Sequence, residues 1–496
     1  MKNKILRSSA VAVAATLGVM GLGMSPAYGK SSTLFNYLPY TVVVTAPTGG
    51  TDFTPIAQGG SSFDADFIPA ALNGFVNQTT TLTTKPSVAS DWYYTGGVNF
   101  SSKACDSTGE YISENSLFGR ALAIGATAQS ALNTCYASGS QSGGLDVIGY
   151  SDVPVNQDLN ASPTDATLFA DSTVSGQTAA NLVQIPIVAG GVALIFNNSL
   201  NTDAPKQCAK AFSKHGIKLS GTTIAKIFAS ADPGVNSTAV TGQVETWNSA
   251  AISADNTDLS AVTVGTSTVN CLSDLKTLAI TPVVRTADSG TTFMLGEYLN
   301  AVDSTDFSTV PATLTPPNYN AQANSTALAA AVVATPGSIG YVETSYWKAN
   351  KSSLSVIKVI NSAGAARLPT DAYVTKDIDY ALGSAGTIGP GNFSLTTLKD
   401  FSVADQACGK CYPISGFSYA IVQKTQPSEA SAVAIAKFLD YESHGTATTG
   451  GQQFAPANDY TILPTVIQNY AQDQIQTITY TGASSGWVPL AANYNE

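Results

Sequence analysis

Short apolar runs separated by Gly, Ser, Thr and Pro clusters recur along this chain, and strand-like runs alternate with helix-like ones. Tyr40 to Thr45 and Asp91 to Val98 read as strands, and Ser116 to Leu132, rich in Ala and Leu, as a helix. Leu145 to Tyr150 is a short apolar strand, and Val183 to Phe196 is a long one that Gly190-Gly191 is expected to break. Phe67 to Phe75 and Thr223 to Phe228 read as helices. Ile280 to Val284 is a buried strand ending in Arg285, and Phe293 to Leu299 continues as a helix beyond a Ser/Gly/Thr turn. Gly416 to Gln423 is a further strand. It leads to a helix that Ser428 caps, with Ala432, Ile435, Ala436 and Leu439 on one face. This alternation predicts α/β layers with mainly parallel strands, which bind ligands at the carboxyl ends of their strands. No internal repeat interrupts it.

The N-terminus has a different pattern. Lys2, Lys4 and Arg7 precede an apolar run from Ala10 to Met24, and Ser25-Pro26-Ala27-Tyr28-Gly29 adds a breaker and small residues. Residues 1–29 therefore read as a signal peptide cleaved near Gly29. The run is shorter than the roughly 20 residues of a membrane span. The first cysteine is Cys105, so no lipid-anchor cysteine follows the cleavage point. A periplasmic or secreted chain is expected, without membrane insertion after cleavage. Its length predicts at least two lobes.

Composition narrows the chemistry. Of the 496 residues, 44% are hydrophobic and only 11% charged, with a formal net charge of −11. That balance argues against nucleic acid, whose phosphates call for clustered Lys and Arg. It also means that an anion site must work by local geometry. The low charge density hints at an acidic medium. Six cysteines fit an oxidising compartment, and sequence order pairs Cys105 with Cys135, Cys208 with Cys271 and Cys408 with Cys411, although 15 pairings exist. Cys408-Gly409-Lys410-Cys411 also fits a redox or metal pair, but no second pair completes a zinc site. The two histidines, His215 and His444, have no catalytic context, and multi-histidine metal sites are excluded by count. They read as surface or helix-end residues.

Three segments carry candidate chemistry. Arg285-Thr286-Ala287-Asp288-Ser289-Gly290-Thr291-Thr292 aims an Arg fork, hydroxyls and the N–H groups of a helix start at one point. Those are the means of holding a tetrahedral oxyanion. An ordinary strand-to-helix turn with Ser289 or Thr291 as N-cap accounts for the same residues. Gln58-Gly59-Gly60-Ser61-Ser62-Phe63 is a second Gly-rich turn before a helix, and Asp146 to Pro154 a strand ending in a carboxylate, Asp152.

In this order the segments resemble the phosphate-binding proteins that serve phosphate-specific ABC transporters, and the resemblance runs through most of the mature chain. The Gly-Gly-Ser-Ser-Phe turn resembles that family's first anion loop, and Ser151-Asp152-Val153-Pro154 its Ser-Asp-x-Pro strand end. Leu182 to Val192 is similar to its crossing into the second lobe. Ile224 to Phe228 with Val244-Glu245-Thr246-Trp247-Asn248 resembles its helix and Trp-Asn/Asp signature. Arg285 to Thr292 resembles its Arg-x-Asp-x-Ser-Gly-Thr-Thr motif, Pro336 to Val342 its Pro-Gly-x-Ile-Gly-Tyr-Val segment, and Tyr412-Pro413-Ile414 its return to the first lobe.

The resemblance implies a two-lobed, clamp-like periplasmic binding protein fold of type II, each lobe a mainly parallel sheet flanked by helices. Residues 30–191 and 413–496 would form lobe 1, and residues 192–412 lobe 2. It implies capture of inorganic phosphate for an inner-membrane ABC permease, with no catalysis and no cofactor. Ser62 and Phe63 would donate from the first loop, Arg285 would be the cationic contact, and Ser289, Gly290 and Thr291 would supply hydroxyls and N–H groups. Asp152 would accept from a protonated oxyanion and so disfavour sulfate. Two departures stand out. The family's aspartate two residues after the arginine falls on Ala287, with Asp288 beside it. Its Gly-Ser-Ser-Gly-Gly loop has Ser101-Ser102 as best counterpart and Ser140 to Gly144 as rival. Ser102 to Gly144 and Val302 to Ala334 read as insertions. Two other readings remain: a surface or matrix protein on the same fold with a weak or altered oxyanion site, and a secreted phosphatase, for which no nucleophile–base pair is visible.

Overall fold

The computed structural model describes residues 54–78, 98–100, 112–113, 115–126, 147–155, 165–197, 206–229, 243–264, 266–272, 278–286, 289–311, 313–382 and 403–490. The signal segment, the strand expected at Tyr40 to Thr45, most of the one at Asp91 to Val98, and Cys105 and Cys135 lie outside them.

Among the described residues ten strands form one hydrogen-bonded network. They are β1 (Thr54–Gly60), β2 (Val98–Phe100), β3 (Ile112–Ser113), β4 (Val147–Ser151), β5 (Leu182–Asn197), β6 (Thr281–Arg285), β7 (Asn320–Gln322), β8 (Ser338–Glu343), β9 (Leu354–Val356) and β10 (Ser415–Gln423). The order is β7-β6-β8-β5-β10-β4-β1-β2, with β3 on β1 and β9 on β5. On one side β1 pairs parallel with β2 and β4, and on the other β6 pairs parallel with β7 and β8. These are the two mainly parallel sheets of a two-lobed α/β fold.

Strand β5 joins them. Its sixteen residues are all buried, as its nearly unbroken apolar sequence requires. Leu182 to Gly191 pair antiparallel with β10, and Val192 to Phe196 pair antiparallel with β8. The expected break at Gly190-Gly191 does not occur. The strand runs straight through, and the two glycines serve close packing instead. A Cβ on Gly190 would lie 2.6 Å from the Phe63 ring, and one on Gly191 3.0 Å from Val374. Pro186, which has no N–H to give the ladder, lies opposite Tyr419 of β10 at a register shift, the next pair being Val188 with Ser418.

Helices α1 (Phe67–Gln78), α2 (Ser116–Ile124), α3 (Gly221–Phe228), α4 (Gly290–Val302), α5 (Ser325–Ala334) and α6 (Glu429–Ser443) lie among these strands. Helix α2 is shorter than its Ala/Leu content suggests. Asn115 caps its start, and Gly125, at φ 82°, closes it by returning its N–H to Ala121 and Leu122 carbonyls. Gly119 lets it press onto β4, since a Cβ there would meet the Tyr150 carbonyl oxygen at 1.9 Å. Ser428 caps α6, accepting from the Ser431 N–H, and the apolar positions of that helix are buried. The segment expected as an insertion at Val302 to Ala334 carries β7 and α5, which pack on β6 and β8. Disulfides join Cys208 to Cys271 and Cys408 to Cys411, so the latter pair is no free thiol pair. Trp247 is fully buried and donates its indole N–H to the Gly337 carbonyl at 2.8 Å. Among the described residues no helix is long and apolar enough to cross a membrane.

Candidate functional site

The first Gly-rich turn ends β1 at Gly60, where a Cβ would fall 2.0 Å from the Tyr150 carbonyl oxygen. Only glycine lets β1 close this tightly on β4. The chain then turns through a short 3₁₀ segment, Ser62–Asp64, capped by Ser61. Ser61 accepts the Phe63 N–H at 3.0 Å and donates its hydroxyl to Asp152 Oδ2. Ser62 is half-buried. Phe63 is buried against Tyr460, whose hydroxyl donates to the Phe63 carbonyl.

Asp152 follows β4 and is buried. Its Oδ1 accepts from Ser418 at 2.7 Å, its Oδ2 from Ser61 and from Ser116 at 3.4 Å, and its own N–H donates to Ser116 at 3.2 Å. Ser116 is the first residue of α2. Burial pushes the Asp152 carboxyl up to about 6, against the pull of the three serine hydroxyls and of Arg285. The α4 start touches it directly, because a Cβ on Gly290 would lie 1.9 Å from Asp152 Oδ2. Met294, one turn along α4, packs on Gly416 of β10 and holds that helix end in place.

Arg285 closes β6 and is 2% exposed. Its N–H donates to the Tyr341 hydroxyl at 3.1 Å, and its guanidinium to Ser325 at 3.3 Å. Ser325 in turn donates to Glu343 Oε2 at 2.9 Å. Burial raises the Glu343 carboxyl to about 7, with Arg285 drawing it down and Asp152 adding to the rise. Ser289 is the N-cap of α4 but makes no side-chain cap bond. Its hydroxyl pairs with that of Thr291 at 2.7 Å.

Of the residues singled out from sequence, the structure brings Asp152 into contact with Gly290, places Ser62 and Phe63 beside Ser61, and sets Ser289 and Thr291 at the same helix start. Ser101, Ala287 and Asp288 lie outside the described residues. Sequence reasoning missed Ser61, Ser116, Ser418, Ser325 and Glu343. Ser61 sat one position from the expected donor. Glu343, a carboxylate ending an apolar strand, was a readable signal. Ser116, Ser325 and Ser418 come from distant segments and carried none.

The arrangement combines a buried guanidinium, a helix start and several hydroxyls with a carboxylate acceptor. Such a set holds an oxyanion that still carries a proton. Among the described residues no group of three or more His, Cys, Asp and Glu side chains is placed to hold a metal. His215 sits at a helix end, 2.9 Å from Asp258. His444 caps α6, buried rather than on the surface. Burial lowers its pKa to about 4, and its Nδ1 faces the Asp440 carbonyl at 3.0 Å. The neighbouring Ser443 hydroxyl donates to the Leu439 carbonyl, as helix-end serines do.

Two mainly parallel sheets sharing one long strand, with polar side chains gathered at strand ends and a helix start, are the architecture of a two-lobed periplasmic binding protein. Residues 159–442 match the PBP superfamily domain, and the chain belongs to that superfamily. The structure is similar to that of the phosphate-binding protein from Stenotrophomonas maltophilia, with a TM-score of 0.50, 19% identity and coverage of 85% of this chain and 93% of that one. It is similar to the same degree to a human phosphate-binding apolipoprotein, with a TM-score of 0.50, 16% identity and coverage of 85% and 94%. At such identities the likeness is one of fold.

Proposed function

We propose that this protein captures inorganic phosphate outside the cytoplasm, in the periplasm or as a secreted chain, and delivers it to an ABC permease without chemical change. The observation that carries this reading is the contact of the Asp152 carboxyl with Gly290 at the start of α4. It sets an acceptor for a ligand proton beside the N–H donors, hydroxyls and guanidinium that bind oxyanion oxygens. Phosphate carries such a proton at ordinary pH and sulfate does not, so sulfate would face unrelieved repulsion from Asp152. In this reading Ser62, Phe63, Arg285, Ser289, Gly290 and Thr291 supply the donors, with Ser101 from the segment beyond β2. Residues 30–191 and 413–496 form one lobe and residues 192–412 the other. The names of the similar structures support the ligand, and the motif resemblance supports the permease.

Titration calorimetry with phosphate, and with sulfate as control, tests it. One-to-one phosphate binding is expected, absent with sulfate and lost in Arg285→Ala, with Asp152→Asn relaxing the discrimination. A folded, ligand-stripped sample that binds no phosphate overturns it. That result would favour a surface or matrix protein on the same fold, a reading for which the Glu343–Ser325–Arg285 chain speaks, since it engages the guanidinium within the protein.

A further inference from the structure

Behind Asp152 lies a second carboxyl that no part of the phosphate reading uses. Asp64 ends the 3₁₀ segment after β1 and is fully buried. The Ser418 hydroxyl oxygen lies 2.7 Å from Asp64 Oδ2 and 2.7 Å from Asp152 Oδ1. A hydroxyl has one hydrogen to donate. With both carboxyls ionised, one of these two contacts would set lone pair against lone pair in a dry interior. Two hydrogen bonds of this length therefore require a second proton in the triad, carried by one carboxyl and donated to Ser418.

The surroundings decide which carboxyl carries it. Asp152 has two further hydroxyl donors, Ser61 and Ser116, and feels the charge of Arg285, all of which favour its ionised form. Asp64 has no such support. Its Oδ1 has no hydrogen-bond partner among the described residues. The titratable groups that face it are Asp152 beyond β4, Glu442 at the end of α6, Glu343 at the end of β8 and Tyr460. Arg285 acts on the cluster through Asp152 and Glu343. Burial, followed by the Asp152 charge, holds the Asp64 carboxyl well above the usual carboxylate range.

We propose that Asp64 is a positioning residue that holds a proton and donates it to Ser418, so that the Ser418 hydroxyl points at Asp152 and keeps Asp152 an ionised acceptor for the ligand. The register shift at Pro186 is where β10 presents Ser418 to both carboxyls. Selectivity for a protonated oxyanion then depends on a proton that the ligand does not touch. Once Asp64 ionises, Ser418 serves only one of two negative groups and the site carries an extra charge against an anion.

The inference about selectivity rests on the phosphate reading, but the location of the proton does not, so two measurements separate them. The first is infrared difference spectroscopy of the ligand-free protein with ¹³C-labelled aspartate at neutral pH. Buried Asp377, also raised, adds a band common to all variants. The other protonated-aspartate carbonyl band should vanish in Asp64→Asn and persist in Asp152→Asn. A band unchanged in Asp64→Asn, or lost in Asp152→Asn instead, overturns the proposal. The second is phosphate affinity against pH. The side-chain amide of the Asp64→Asn variant still donates to Ser418, so this variant should bind phosphate as the wild type does at acid pH. Above the titration of Asp64 the wild type should weaken by roughly tenfold per pH unit relative to the variant, the slope of one linked proton. The ligand's own ionisation cancels in that ratio. Parallel curves overturn the selectivity role. Ser418→Ala, which breaks the relay but keeps both carboxyls, should bind phosphate more weakly, and unchanged binding also counts against it. A wild type that binds no phosphate sinks the phosphate reading and leaves the infrared result to decide where the proton sits.

Discussion

Gly290 and Asp152 meet backbone to side chain, so that a Cβ on Gly290 would lie 1.9 Å from Asp152 Oδ2 and 2.2 Å from its Cβ. No rotation of the aspartate removes a clash with its own Cβ, so a larger residue must move the start of α4 away from β4. Gly290→Ala should therefore weaken phosphate binding while leaving the fold intact by circular dichroism. Overpacking of this kind costs about 1–3 kcal/mol, or roughly 5- to 150-fold in affinity. Calorimetry that finds the alanine variant binding like the wild type would remove this contact from the ligand site.

Several buried carboxyls make stability depend on pH in an uncommon direction. Burial raises Asp152 to about 6 and Glu343 to about 7, and lifts Asp64, Asp377 and Glu442 above the usual range. A carboxyl raised on folding binds its proton more tightly in the native state. Its contribution is fully present below the unfolded pKa and is lost as pH rises through the folded one. His444, lowered to about 4, acts oppositely, losing stability as pH falls below its unfolded value. Five carboxyls outweigh one histidine. The ligand-free protein should melt at a higher temperature near pH 5 than near pH 8, by several degrees. Glu343→Gln, which mimics the protonated side chain, should flatten part of that slope. A melting temperature that rises steadily toward pH 8 would contradict it.

The two disulfides among the described residues should differ in weight. Cys208 and Cys271 are fully buried and 63 residues apart, whereas Cys408 and Cys411 are separated by 3. Closing the longer loop removes more freedom from the unfolded chain, on the order of 2–4 kcal/mol. The double variant Cys208→Ala with Cys271→Ala should lose about that much in urea unfolding, and Cys408→Ala with Cys411→Ala clearly less. Equal losses would mean that native packing rather than loop closure governs both.

Much of the architecture was legible because it depends on local pattern. The buried strands β4, β5, β6 and β10 announce themselves as apolar runs, and Ser428 before an amphipathic stretch marks the start of α6. The end of α2 was not legible. The Ala and Leu residues beyond it continue a helical pattern in sequence, but Gly125, in the left-handed conformation, ends α2 before them. The break expected in β5 failed for a related reason. Gly190 and Gly191 look like a turn in sequence, but their neighbours Phe63, Tyr460, Val374 and Thr344 need the space that a side chain would fill.

The candidate site divides along the same line. The strand–turn–helix segment from Arg285 to Thr291, the Gly-rich turn before Phe63 and the aspartate after β4 are each contiguous. The sequence by itself therefore determined that guanidinium, hydroxyls, helix start and carboxylate exist, and in which local geometry. That Asp152 touches Gly290, that Ser325 from a supposed insertion links Arg285 to Glu343, and that Ser418 stands between Asp64 and Asp152 was decided only by the tertiary structure. The physical reason is that side-chain protonation and hydrogen-bond pairing depend on burial and on neighbours far along the chain, which no local pattern records.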